Sequence, residues 1–334
     1  MDDLRFDGRV AIVTGAGGNP GLGRSYAMLL ASRGAKVLVN DLGVGPDGRG
    51  AIGAGVSSVV QEIIDTGGEA MGNGDTVATA AGARAIVDSA LETWGRVDIV
   101  INNAGVAPFA LFDEISEQDI EKVVGVHLFG HIWMCRAAWR PMMENGYGRL
   151  VNVSSVVALR GMPYQSIYAA SKLGVVGLTR TLASEGHKYG IRANTIMPAA
   201  DTLAWQKMLE PAFSERARAN GLTPEAVAPV GVWLAHESCQ FSGKIFQTQG
   251  GSVSEVYFSE TVGMDQDPDL LTPEKLASSA AQIVDRTDNT SLSDPNPKIP
   301  DHLRPKQYKP AREDACGDHV SVRTDPTTPD DILN

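Results

Sequence analysis

The chain has 334 residues, 29 Lys and Arg against 40 Asp and Glu, a formal net charge of −11 and a hydrophobic fraction of 43%. That apolar fraction is ample for a buried core, the acidity argues against nucleic acid as a partner, and no apolar run approaches the ~20 residues of a membrane span. Three cysteines without motif spacing, Cys135, Cys239 and Cys316, argue against a disulfide framework or a metal array and for a reducing, cytoplasmic setting.

In chain order, the first predicted strand is Arg9–Thr14, a short apolar run. Gly15, Gly17, Gly18, Gly21 and Gly23 follow it, and a helix is expected over Gly21–Arg33. Glycines between a strand and a helix let the backbone turn sharply and approach a pyrophosphate at the helix N-terminus. A second strand, Lys36–Asn40, ends at Asp41, about 20 residues beyond the glycine loop, the spacing of a carboxylate that accepts from the adenosine ribose hydroxyls. A 2′-phosphate would meet like charge there, so the cofactor expected is NAD rather than NADP. Leu42–Gly55 reads as a plain loop. A helix over Ser57–Thr66 and a strand over Glu69–Asn73 lead to Asp75, which serves either the adenine amino group or a turn.

A helix over Ala80–Trp94, a strand over Asp98–Ile101 and a long helix over Glu117–Asn145 come next. The strand Arg149–Ser154 delivers Ser155, and the helix Ser166–Tyr189 carries Tyr168 and Lys172. Residues i and i+4 share a helix face, so the phenol and the ammonium point the same way. A Tyr has an ordinary pKa near ~10; an adjacent cation favours the phenolate and makes a general base for a secondary alcohol. Strands over Ile191–Ile196 and Lys244–Thr248 complete the body. Alternating strands and helices predict a doubly wound parallel sheet of about seven strands in three α/β/α layers. Gly15, Asp41, Asn102 and Ser155 fall at or just beyond strand carboxyl ends, where such sheets bind ligands.

Five motifs appear in one order: Thr14-Gly15 with Gly21-x-Gly23, Asn102-Asn103-Ala104-Gly105, Ser154-Ser155, Tyr168-x-x-x-Lys172, and Asn194-x-Ile196-x-Pro198. On these the chain resembles the short-chain dehydrogenase/reductase family over about residues 6–258. Arg5–Val10, Val39–Gly43, Val126-His127-Leu128, Arg136–Trp139 and His236–Cys239 resemble its D-3-hydroxyacyl-CoA dehydrogenase branch, found within peroxisomal multifunctional enzymes and also described as 17β-hydroxysteroid dehydrogenases. The resemblance implies NAD held by Gly15, Gly21, Leu22, Gly23, Asp41, Asp75, Asn103, Ala104, Gly105, Tyr168, Lys172, Pro198 and Thr202. It implies Ser155, Tyr168 and Lys172 as catalytic residues, a homodimer or homotetramer, and an acyl-CoA or steroid substrate. Three departures stand out. Asn19-Pro20 looks inserted in the phosphate loop, Ala199 replaces the usual Gly after Pro198, and His127 stands where many members have a catalytic Asn. His127 either joins the proton relay or packs the helix; in a relay, its removal shifts the pH–rate profile.

The expected chemistry is NAD-dependent interconversion of a secondary alcohol and a ketone, with a biosynthetic NADPH ketoreductase and a non-catalytic NAD-binding regulator as alternatives. Residues 198–222 read as a substrate lid. Leu203, Trp205, Met208, Leu209 and Phe213 give it an apolar face, which closes over substrate or packs on the core. The catalytic domain is expected over 1–259. Residues 260–334 are acidic and Pro-rich, with a short helix near 273–284, and read as a flexible tail or an arm on a neighbouring subunit. The C-terminus carries no peroxisomal address and no fused hydratase is expected.

Overall fold

The computed structural model describes residues 3–43, 55–106, 108–208 and 210–292. All of them fall within the first of two compact units, Met1–Pro297. The tip of the Leu42–Gly55 loop, Leu209, and residues 293–334 with most of the predicted tail lie outside the described residues.

Seven parallel strands, β1 Val10–Thr14, β2 Lys36–Asn40, β3 Glu69–Asn73, β4 Ile99–Asn102, β5 Gly148–Val153, β6 Ile191–Ala199 and β7 Ile245–Gln249, form a sheet in the order β3-β2-β1-β4-β5-β6-β7, and an antiparallel β8, Ser252–Val256, extends it. β1 is buried along its whole length, as a central parallel strand covered on both faces must be. Its alternate side chains go to different cores. Ala11 and Val13, with Val37, Ile101 and Val151, pack under Tyr26, Leu30, Ile63 and Leu234. Val10 and Ile12, with Leu38, Val100 and Leu150, pack under Ile86, Val87, Met134 and Met142. The covering helices are α1 Leu22–Ser32, α2 Gly55–Asp65, α3 Ala80–Trp94, α4 Glu117–Val124, α5 Gly130–Asn145, α6 Val157–Arg160, α7 Ser166–Gly186, α8 Leu203–Met208, α9 Pro211–Ala219 and α10 Pro224–Ala235. The doubly wound three-layer fold is thus present, with one strand more than predicted. Gly250 and Gly251, both at positive φ (51° and 81°), make the two-residue turn into β8.

The predicted helix Glu117–Asn145 is not continuous. Ser116 caps α4 by accepting from Asp119 N at 3.1 Å. A wide π-helical turn, Gly125–Phe129, then separates α4 from α5 and carries His127. Such turns re-aim side chains inside otherwise regular helices. Beyond the sheet, Pro273–Ser278 and Ala280–Ile283 form short helices α11 and α12, and β9 Ser259–Thr261 pairs with β10 Asn289–Ser291.

The chain winds from β1 outward to β3, then returns to β4 on the other side of β1. That reversal opens a crevice beyond the carboxyl ends of β1 and β4. The opposite end of the sheet is tied shut. The fully buried Asp98 carboxylate accepts from Val10 N at 2.9 Å and from Arg96 at 2.8 and 2.6 Å.

Candidate active site

The crevice at the switch point is a cavity of about 300 Å³, lined by Gly15, Gly21, Leu22, Asp41, Asp75, Asn103, Ala104, Gly105, His127, Ser155, Tyr168, Lys172, Pro198, Thr202 and Trp205 among others. Gly23 is buried beneath its glycine wall. Gly15 has φ 65°, and a Cβ there would lie 2.6 Å from Ala104 Cα. A Cβ at Gly23 would strike Gly15 O and come within 2.7 Å of Asn103 Nδ2. Only glycine permits this closeness, and the result is bare backbone facing the cavity where a pyrophosphate needs it. Thr14 locks the cradle: its hydroxyl accepts from Asn103 N at 3.0 Å and Ala104 N at 3.1 Å. The Asn103 amide in turn donates to Thr14 O and Gly15 O at 2.9 and 3.0 Å. Asn103 therefore braces the loop with its side chain.

Asp41 sits at the end of β2. Its carboxylate accepts from Gly17 N at 2.9 Å and Gly43 N at 2.8 Å, so its position is fixed while the carboxylate still faces the cavity. Arg24, the nearest cation to the glycine loop in sequence, is held by Glu62 in an ion pair. Asp75 accepts from the Asn73 amide at 2.9 Å in a turn and also lines the cavity.

Tyr168 and Lys172 descend from α7 into the cavity opposite the end of β5. The Lys172 ammonium is 5.7 Å from the Tyr168 ring centre. It is only 2% exposed, donates to Val153 O at 2.6 Å, and burial pushes its pKa down to about 7. Burial holds the Tyr168 phenol above its ordinary pKa, against the opposing pull of the Ser155 hydroxyl. In this structure burial, rather than the charge of Lys172, sets the direction of the phenol's shift. Helical spacing brings the two groups together, but desolvation acts on both, and it disfavours the charged form of each.

His127 is buried, and its ring meets the Tyr168 ring edge-to-face at 4.9 Å and 85°. Its Nε2 meets the Val106 backbone at both N (3.0 Å) and O, while Nδ1 has no partner. Burial first, and then the charge of Lys172, hold its pKa well below the ordinary imidazole value. A neutral imidazole bound to backbone and wedged under the phenol supports its packing role. We expect His127→Ala to cost about 3 kcal/mol of stability through the cavity it leaves. Urea unfolding reads that loss, and the pH–rate profile of the variant should superimpose on that of the unaltered protein.

The segment expected as a lid begins at Pro198. Thr202 lines the cavity, and Leu203 N donates to Pro20 O at 2.9 Å, so the start of α8 is fastened to the phosphate loop at the inserted Asn19-Pro20. Trp205 reaches the cavity and contacts Phe213 with 5.6 Å between ring centres. Leu209 and the side chain of Met208 lie outside the described residues. Sequence reading missed Val153 O, Pro20 O and Val106 N; all three act through backbone atoms, which no side-chain pattern announces.

An open parallel sheet with a glycine cradle and a carboxylate at its switch point is the architecture of a dinucleotide-dependent enzyme. A model of the short chain dehydrogenase family matches residues 9–210. The chain is 42% identical over 284 residues to the mouse peroxisomal multifunctional enzyme type 2, covering 84% of this chain but only 37% of that one. It is 43% identical over 279 residues to a short-chain type dehydrogenase/reductase of Mycobacterium tuberculosis, covering 83% of this chain and 94% of that one. The solved full-length multifunctional enzyme type 2 of Drosophila melanogaster superimposes with a TM-score of 0.70 at 32% identity, over 87% of this chain and 48% of that one. The chain belongs to the short-chain dehydrogenase family. It spans little more than a third of the mouse relative.

Among the described residues no helix is long and apolar enough to cross a membrane, and no group of three His, Cys, Asp or Glu side chains is placed to hold a metal ion.

Proposed function

We propose that this short-chain dehydrogenase is NAD-dependent and oxidises the secondary alcohol of a 3-hydroxyacyl-CoA to the ketone, reversibly. The observation that carries the reading is the convergence of Ser155, Tyr168 and Lys172 on one cavity whose other wall is the glycine cradle and Asp41. The bare backbone around Gly15 and the carboxylate of Asp41 fit a dinucleotide with a free ribose 2′-hydroxyl. Once bound along them, NAD supplies the hydride acceptor.

Ser155 holds the substrate oxygen by donating to it and stabilises the charge that develops there. Its own oxygen is oriented by Val157 N, which donates to it at 3.2 Å. Tyr168 takes the hydroxyl proton as the carbinol carbon gives up its hydride, and returns it in the reverse direction. Lys172, 5.7 Å from the centre of the Tyr168 ring and fixed by its bond to Val153 O, helps hold the cofactor beside the phenol. Pro198, Thr202 and Trp205 close the remaining side. A homodimer or homotetramer is part of this reading, with α4–α5 and α7 as interface helices.

The test is NAD⁺ reduction with a 3-hydroxyacyl-CoA beside a 17β-hydroxysteroid; preference for the steroid overturns the substrate assignment. In the same assay Asp41→Ala should raise kcat/KM with NADP relative to NAD by at least about tenfold, because removal of the carboxylate ends the repulsion of a 2′-phosphate. An unchanged ratio removes Asp41 from the cofactor site.

A further inference from the structure

β6 ends at Ala199, and a buried aspartate follows two residues later. Asp201 is 1% exposed and is not part of the cavity lining, although Ala200 before it and Thr202, Leu203, Ala204 and Trp205 after it are. Its carboxylate is held by two groups that also lie outside the lining. Oδ2 accepts from Gln206 Nε2 on α8 at 3.0 Å and forms an ion pair with Arg218 Nε on α9 at 3.3 Å. Its backbone N–H donates to Leu222 O at 2.7 Å. The next residue, Thr223, caps α10 by accepting from Ala226 N at 3.3 Å, and α10 is anchored in the core by Val227 and Leu234. One residue thus joins the cavity wall Thr202–Trp205 to α8, to α9 and to the fixed start of α10. The bond from Leu203 N to Pro20 O fastens the same wall to the phosphate loop.

This arrangement is costly. Among the described residues Asp201 Oδ1 is buried with no partner, and the side chain of Arg218 is more than half exposed. A buried carboxylate that is half satisfied costs more than an apolar side chain packed in the same space. Packing alone would therefore not call for it. What a carboxylate adds is a directed acceptor that fixes two elements at once, and both of them adjoin the wall that faces the glycine cradle.

Resting on the dehydrogenase reading, we propose that Asp201 is a positioning residue for the cofactor. It acts through Thr202–Trp205, which it holds in place beside the phosphate loop, so that the dinucleotide meets a wall already formed and leaves it slowly. Binding to a preformed surface avoids the cost of ordering that surface at the moment of binding. Ser155 follows β5, and Tyr168 and Lys172 stand on α7, so cofactor affinity and chemistry should separate when Asp201 is altered.

The experiment is a fluorescence titration of NADH on Asp201→Ala and Asp201→Asn, with Tm recorded for each. In Asp201→Ala the Kd for NADH is expected to rise about tenfold, the equivalent of about one net hydrogen bond lost from the held conformation. Stopped-flow release of NADH should be faster by a similar factor. Turnover of a four-carbon 3-hydroxyacyl-CoA at saturating NAD⁺ should stay within about threefold, since the groups that perform the chemistry are not displaced. Asp201→Asn keeps the shape and an acceptor oxygen for Gln206, and it should recover most of the lost affinity. A Kd within about twofold of the original in folded Asp201→Ala overturns the proposal, as does a fall in kcat as large as the fall in affinity, the mark of general disruption. Should Asp201→Ala not fold, Arg218→Met replaces it: loss of the exposed cation should raise Kd about threefold, and an unmoved Kd overturns the proposal. If the unaltered protein binds NADH but oxidises no 3-hydroxyacyl-CoA, the substrate assignment falls and the titration still decides the role of Asp201. If it does not bind NADH, both fall.

Discussion

Tyr168→Phe should retain NAD affinity within about threefold and lose roughly a hundred- to ten-thousandfold in kcat, the range a positioned acid–base group contributes. The substitution removes one oxygen and little else. The ring keeps its edge-to-face contact with His127, and Lys172 keeps its bond to Val153 O. The glycine cradle and Asp41 lie on the other wall and are untouched. The phenol that is lost is held above its ordinary pKa by burial. In the oxidation direction it must be ionised to accept a proton, so activity of the unaltered enzyme should rise with pH through the alkaline range. Whatever activity remains in the Phe variant should lose that dependence. Steady-state NAD⁺ reduction and a fluorescence titration of NADH separate the two effects. Turnover within tenfold of the unaltered protein would refute Tyr168 as the base.

How much of this was legible beforehand follows from which forces are local. β1, the glycine loop and Asp41 could be read because a buried parallel strand is apolar throughout and a pyrophosphate loop tolerates only glycine at Gly15 and Gly23. The Tyr168–Lys172 pair could be read because helical spacing alone puts both groups on one face. The break at Gly125–Phe129 was hidden, since a π turn adds one residue without changing composition. β8 was hidden because its outer residues are polar and exposed; only Gly250-Gly251 hinted at a hairpin. The charge state of Lys172 was illegible for a deeper reason. It depends on burial, which is a tertiary fact. Gln165 belongs to the same class: a glutamine at the start of a helix looks solvent-facing until the loop at Pro108 folds over it.

Lys172 gives the other large effect, and it has two opposite signs. Lys172→Met should abolish most activity, because the side chain proposed to help hold NAD beside Tyr168 is lost. The same variant should be more stable than the unaltered protein at low pH. In the folded state the ammonium has a pKa of about 7, against ~10.4 in an unfolded chain. Between those values the unfolded chain binds more protons than the folded one, so native stability rises with pH across that window. Below about pH 7 both states are charged, and the full cost of burying the ammonium is present, at most about 5 kcal/mol by the size of the shift. Methionine has similar length and removes that cost, but it leaves Val153 O without its donor, a penalty of about 1–3 kcal/mol. The net gain at pH 6 should be on the order of 2 kcal/mol, a few degrees in Tm. Near pH 10 the buried amine of the unaltered protein is neutral, the penalty is nearly gone, and the orphaned carbonyl should make the variant the less stable of the two. Thermal unfolding of both proteins at pH 6 and near pH 10 reads the crossing directly. A variant destabilised equally at both pH values would mean that Lys172 is not held against its own desolvation.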